Sequence, residues 1–145
     1  MTKIVEFFYD FGSPTVYLAA TQLPAVADQA GAIIDWRPML LGGVFKSTGN
    51  QSPVVVPAKA AYMNVDLERF AERYGVPFRF NPYFPINTLA LMRGAVAYQD
   101  DAVVSSTYRE AIFTAIWVEA RNRNEPDVIG QVLGAAGLDP AELMN

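Results

Sequence analysis

The sequence predicts an α/β fold that opens with a parallel strand, helix and strand and continues as a run of helices. Three observations predict it. Lys3 to Tyr9 is rich in Ile, Val, Phe and Tyr; Ser13-Pro14 has the order of a helix start; and Ala32 to Pro38 brings a second apolar run with Ile33, Ile34 and Trp36. Strand, helix and strand in so short a span form a βαβ unit, whose strands lie parallel with a right-handed crossover.

Each element has a local reason. The first run alternates only loosely, which reads as a mostly buried strand. In Asp10-Phe11-Gly12-Ser13-Pro14, Ser stands at the N-cap and Pro at the first helical position. The helix should run from Pro14 to about Ala30, bent by Pro24 and closed by a left-handed Gly31. After Leu41, Gly42-Gly43, Gly49-Asn50, Pro53 and Pro57 predict a long loop, and a long loop inside a compact domain is usually functional. From Pro57, Met63, Leu67, Phe70 and Tyr74 recur at helical spacing until Gly75 and Pro77.

Asn87-Thr88 caps a further helix to about Tyr98. Another, from about Ala102 to Arg121, is apolar on most sides and so central to a helical bundle. Pro126 to Ala136 follows, capped by Gly137, and Asp139-Pro140-Ala141-Glu142 has the order that opens one more helix close to the last residue. Two parallel strands do not make a covered sheet, so the sequence reads as the first two thirds of a domain. Its cover is expected from a continuation of the same polypeptide rather than from a partner subunit.

Composition narrows the chemistry. The 145 residues are 52% hydrophobic and 18% charged, enough for a real core. Eleven Lys and Arg against fifteen Asp and Glu give a net charge of -4, which argues against nucleic acid as a partner. There is no cysteine and no histidine. Disulfides, thiolate metal sites, Cys nucleophiles, Ser-His-Asp triads and His-based zinc binding are all excluded, and no metal site is expected. No signal peptide or membrane span is legible, which makes a soluble cytoplasmic protein the expectation.

Ser13 is the first chemical candidate. It is either a plain helix cap or a hydroxyl at the positive end of a helix, beyond a strand's C-terminal edge, where α/β proteins bind anions. A thiolate would be stabilised there, but a ligand has to bring it. Lys46 and Lys59, two of the three lysines, flank the Gly49-Asn50 turn. They are carboxylate partners or solvated surface charges. Asn81-Pro82-Tyr83-Phe84-Pro85-Ile86-Asn87-Thr88 is a fixed loop at a site, or a structural turn with Asn87 as N-cap. Trp117 and Tyr62 read as core rather than as cofactor contacts.

Several segments, in this order and spacing, resemble one family. They are Phe8-Tyr9-Asp10-Phe11-Gly12-Ser13-Pro14 with Tyr17-Leu18-Ala19; Arg37-Pro38-Met39-Leu40-Leu41-Gly42-Gly43-Val44-Phe45-Lys46 with Thr48-Gly49-Asn50; Val56-Pro57-Ala58-Lys59 with Tyr62-Met63; Phe84 to Thr88; and Trp117-Val118-Glu119. The chain resembles the 2-hydroxychromene-2-carboxylate isomerases, bacterial glutathione-dependent enzymes related to the kappa-class glutathione transferases and, more distantly, to DsbA-type oxidoreductases. The resemblance implies a thioredoxin-like βαβ half over residues 1–41, with an active-site loop and an α-helical insertion domain over 42–145. The second, ββα half of that fold is absent from the sequence.

By the same resemblance, Ser13 stands where redox relatives carry the first cysteine of C-x-x-C. The four residues here are Ser13-Pro14-Thr15-Val16, so disulfide exchange is excluded by chemistry. The family implies glutathione as cofactor, its sulfur held as thiolate by Ser13, and cis-trans isomerisation of a small aromatic substrate to trans-o-hydroxybenzylidenepyruvate in aromatic compound degradation. Asn50 and Lys59 match kappa-class glutathione contacts. Lys46 is the expected partner of the substrate carboxylate, and Asn87 or Tyr83 of its oxygens. Relatives imply a homodimer. A kappa-like transferase that leaves glutathione on the product, and an inactive fragment of such an enzyme, are the competing readings.

Overall fold

Strands β1 (Lys3–Tyr9) and β2 (Ala32–Pro38) pair in parallel, from Lys3 opposite Ala32 to Tyr9 opposite Pro38, and helix α1 (Pro14–Gln29) joins them. This computed structural model describes residues 1–143. All three elements lie within one residue of the bounds the sequence suggests. Alternation along parallel partners divides the sheet into two faces. On one, Phe7 and Tyr9 meet Trp36 edge-on at ring separations of 5.3 and 5.9 Å, and α1 packs against β2. On the other, Ile4, Phe8 and Ile33 are 64%, 55% and 59% exposed around an ion cluster in which Arg37 bridges Glu6 and Asp35. The strand expected to be mostly buried is therefore covered on one face only among the described residues.

The long loop expected after Leu41 is instead helical in two places. Helix α2 (Leu41–Thr48) ends on Gly49 at φ 69°, and Pro53–Val55 forms a single 3-10 turn. Gly42 and Gly43 misled the reading because each costs a helix about 1 kcal/mol relative to Ala. What offsets that cost is an acceptor at the helix start, since the Asp10 carboxylate takes the Leu41 N–H at 2.8 Å. Helix α3 (Pro57–Tyr74) follows, with Gly75 as its left-handed cap, and it packs against α1. Residues Met1–Phe78 form the first compact unit.

The second unit, Arg79–Asn145, holds α4 (Leu89–Ala97), α5 (Ala102–Trp117) and α6 (Pro126–Ala135). Helix α5 is its centre, as its apolar character predicts: Tyr108, Ile112 and Trp117 are fully buried. It stops before Arg121, and Ala120 then takes a left-handed φ of 53°. Trp117 packs with Phe80 and Phe84 at ring separations near 6 Å (6.0 and 6.1 Å). The helix start read at Asp139 is a 3-10 turn over Pro140–Leu143, with Asp139 Oδ1 accepting from the Ala141 N–H at 2.9 Å. The Glu142 side chain, read as the capping-box partner, lies outside the described residues.

Asn81 ties this unit together. It is fully buried, donates through Nδ2 to the Ile116 and Arg121 carbonyls at 3.0 and 3.1 Å, and accepts from the Tyr83 N–H at 2.9 Å. Asn81→Ala would leave the buried Ile116 carbonyl without this donor and remove the part-buried bonds to the Arg121 carbonyl and the Tyr83 N–H. It should destabilise the protein by about 1 to 3 kcal/mol, read as a lowered urea midpoint.

Candidate active site

Four residues, Asp10 to Ser13, carry the chain from the C-terminal end of β1 into α1. Asp10 is 2% exposed, and its carboxylate accepts from the Gly12 N–H and the Leu41 N–H, both at 2.8 Å. Its carbonyl accepts from the Ser13 N–H at 3.2 Å. Ser13 is the N-cap of α1, with extended backbone angles (φ -101°, ψ 115°), and its Oγ accepts from the Val16 N–H at 3.2 Å. Capping uses a lone pair of the hydroxyl. Its proton meets no acceptor among the described residues and stays available for an anion, in the positive field of a 16-residue helix.

Tyr17, one turn on, is not a competing acid or base. Its phenol donates to the Pro77 carbonyl and its ring stacks on Phe78 at 6.2 Å. Burial pushes its pKa up, so it remains a protonated donor at neutral pH.

The other candidates of the first unit lie on exposed segments. Lys46 is in the last turn of α2, and Asn50 follows Gly49, its Oδ1 accepting from the Gln51 N–H at 2.8 Å. Lys59, in the first turn of α3, lines an open cavity of about 450 Å³ with Pro53, Ala58, Tyr62, Met63 and Asp66. Neither lysine forms an ion pair among the described residues. Tyr62, read from the sequence as core, is 64% exposed and forms part of this cavity. Its place on α3 explains the difference, because the buried stripe of that helix runs through Leu67 and Ala71.

Tyr83 and Asn87 belong to the second unit. Tyr83 lines a cavity of about 560 Å³ with Arg121, Asn122, Glu125 and Gln131, among others. The N-cap of α4 is Thr88 rather than Asn87; Asn87 stands one residue before it, and its Oδ1 accepts from the Leu89 N–H at 3.1 Å as a turn contact leading into the helix. Trp117 is core, as read.

Sequence reasoning missed Asp10 and the groups around Lys59. A signal for Asp10 was present, since an Asp two residues before a Gly is the pattern of a side chain bonding the backbone two positions on. Among the described residues no three His, Cys, Asp or Glu side chains gather as a metal site, and no helix is long and apolar enough to cross a membrane.

A parallel βαβ unit with a capping hydroxyl where the first strand hands over to the first helix makes this an α/β protein with an anion-facing helix start, and the family match places it in the thioredoxin class. The chain belongs to the DSBA-like thioredoxin domain family, which it matches over residues 4–145. It is 35% identical over 130 residues to a 2-hydroxychromene-2-carboxylate isomerase of Sphingobium xenophagum, covering 86% of this chain and 65% of that one. It is 27% identical over 146 residues to glutathione S-transferase kappa 1 of Caenorhabditis elegans, covering 95% and 64%. A solved structure of selenomethionine 2-hydroxychromene-2-carboxylate isomerase superposes with a TM-score of 0.83 at 29% identity, over 97% of this chain and 69% of that one. The chain thus spans a little under two thirds of the length of these two relatives.

Ser13→Ala should cost about 0.5 to 2 kcal/mol of stability through the lost cap, measured by denaturant unfolding. Tyr17 gives a test in pH. Its folded pKa lies above the unfolded value of about 10, so its contribution is complete below pH 10 and is lost as pH rises through the folded value. Tyr17→Phe should flatten the alkaline fall in stability, seen in melting temperature against pH.

Proposed function

We propose that the protein serves glutathione-dependent cis-trans isomerisation of 2-hydroxychromene-2-carboxylate to trans-o-hydroxybenzylidenepyruvate, in the cytoplasm and as a homodimer. The observation that carries this reading is the Ser13 hydroxyl. Its oxygen is engaged by the Val16 N–H and its proton meets no acceptor among the described residues, at the N-terminus of the first helix. The likeness to isomerases, at 35% and 33% identity, supports the reaction class.

Bound glutathione would supply a thiolate nucleophile, the one kind of group this chain cannot provide. The chain's own residues divide the remaining work. Ser13 donates its O–H to the sulfur, and the α1 N-terminus favours the negative charge. The Lys59 ammonium, which forms no ion pair among the described residues and stands beside an open cavity, suits a carboxylate of the tripeptide, and the Asn50 amide suits its peptide groups. Lys46, exposed in the last turn of α2, suits the substrate carboxylate.

A second reading has a specific observation in its favour. The kappa 1 transferase of Caenorhabditis elegans matches over 95% of this chain, and Ser13 would act in the same way in a transferase. Product analysis separates the two, since an isomerase returns glutathione unconsumed with a cis-to-trans change and a transferase yields a conjugate.

Ser13→Ala should lower isomerase turnover by about tenfold to a hundredfold, the worth of a hydrogen bond to a charged group. That exceeds what the lost cap explains, and undiminished turnover removes Ser13 from the site. Lys59→Ala should raise the half-saturating glutathione concentration by about tenfold or more. An unchanged glutathione dependence makes Lys59 a plain surface charge.

A further inference from the structure

Asp10 is the one fully enclosed carboxylate described in the first unit, and its place in the chain gives it two duties. It sits between the last residue of β1 and the turn that delivers Ser13. One carboxylate oxygen fixes that turn through the Gly12 N–H, and the residue's own carbonyl fixes the Ser13 N–H. The other oxygen holds the first N–H of α2, a helix with no side-chain cap of its own and two glycines in its first turn. Asp10 therefore sets where two helix N-termini begin, and Ser13 is the cap of one of them.

We infer that Asp10 is a positioning residue for the Ser13 hydroxyl, holding it, through the Gly12 turn and the α2 N-terminus, at the place where it meets the sulfur of bound glutathione. The inference rests on the reading of Ser13 given above. A carboxylate could also act there by charge alone, and the two roles have opposite signs. A bare negative charge near a thiolate raises the thiol pKa, so deleting it would lower that pKa. A positioning role gives the reverse, because deletion loosens the hydroxyl that stabilises the thiolate.

The test is the ionisation of glutathione bound to the protein, followed by thiolate ultraviolet absorbance against pH. Ser13→Ala should raise the bound thiol pKa by roughly one to two pH units, and no rise overturns the Ser13 reading itself. Given that rise, Asp10→Ala should shift the pKa in the same direction by roughly one pH unit. The double variant should match Ser13→Ala alone, because Asp10 acts through Ser13. A lowered or unchanged pKa in folded Asp10→Ala, or additive shifts in the double variant, overturns the role of Asp10 while leaving that of Ser13 standing. Asp10→Asn keeps the shape but offers one acceptor to two N–H donors, and it decides by the same criteria if the alanine variant does not fold.

Discussion

A carboxylate buried at the end of a strand is costly unless donors surround it, and in this protein the donors it gathers organise the first unit. Removing an isolated charge from water costs several kcal/mol, and Asp10 is 2% exposed. Its donors are backbone N–H groups from two different segments, the Gly12 turn and the first residue of α2. N–H groups at a helix start have no partner within the helix, so a carboxylate there satisfies them and meets the positive end of the helix. One side chain thereby brings the starts of α1 and α2 to the C-terminal end of β1. That is the end of a parallel sheet where ligands of α/β proteins bind.

Much of the fold was legible because its signals are local. Ser13-Pro14 and Gly31 delimit α1, and the run of branched and aromatic residues in Lys3–Tyr9 and Ala32–Pro38 gives both strands to the residue. What was missed depends on contacts far apart in sequence. Helix α2 contains Gly42-Gly43, which locally argue for a loop, and it forms where an acceptor 31 positions earlier meets its first N–H. The exposed sheet face was also hidden from composition, since Ile4, Phe8 and Ile33 read as core by type. Only the register, which sets them beside Glu6, Asp35 and Arg37, reveals a face carrying an ion cluster among apolar side chains.

The candidate site was legible to a different degree for each residue. Ser13 could be found because capping and anion binding demand the same geometry, so the helix start already implied the hydroxyl's surroundings. Lysines carry no such local mark, and nothing in their spacing tells a ligand contact from a solvated charge. Tyr62 illustrates the opposite error. An aromatic reads as core by type, yet Tyr62 is 64% exposed and lines the cavity beside Lys59.

A serine at the front of this helix is not a weakened cysteine. A hydroxyl does not ionise near neutral pH, so it brings neither nucleophile nor redox couple, but it does bring two functions that use different parts of the same group. The lone pair closes α1 through the Val16 N–H, and the proposed contact with an anion uses only the proton, so the two roles draw on different parts of the hydroxyl. A thiolate at this position would itself take up the helix's positive field. With serine in its place, that field is left to act on whatever anion a ligand carries, which suits a chain with no thiol of its own. The arrangement works only while the hydroxyl is held in one place, and that constraint returns to the carboxylate three residues before it.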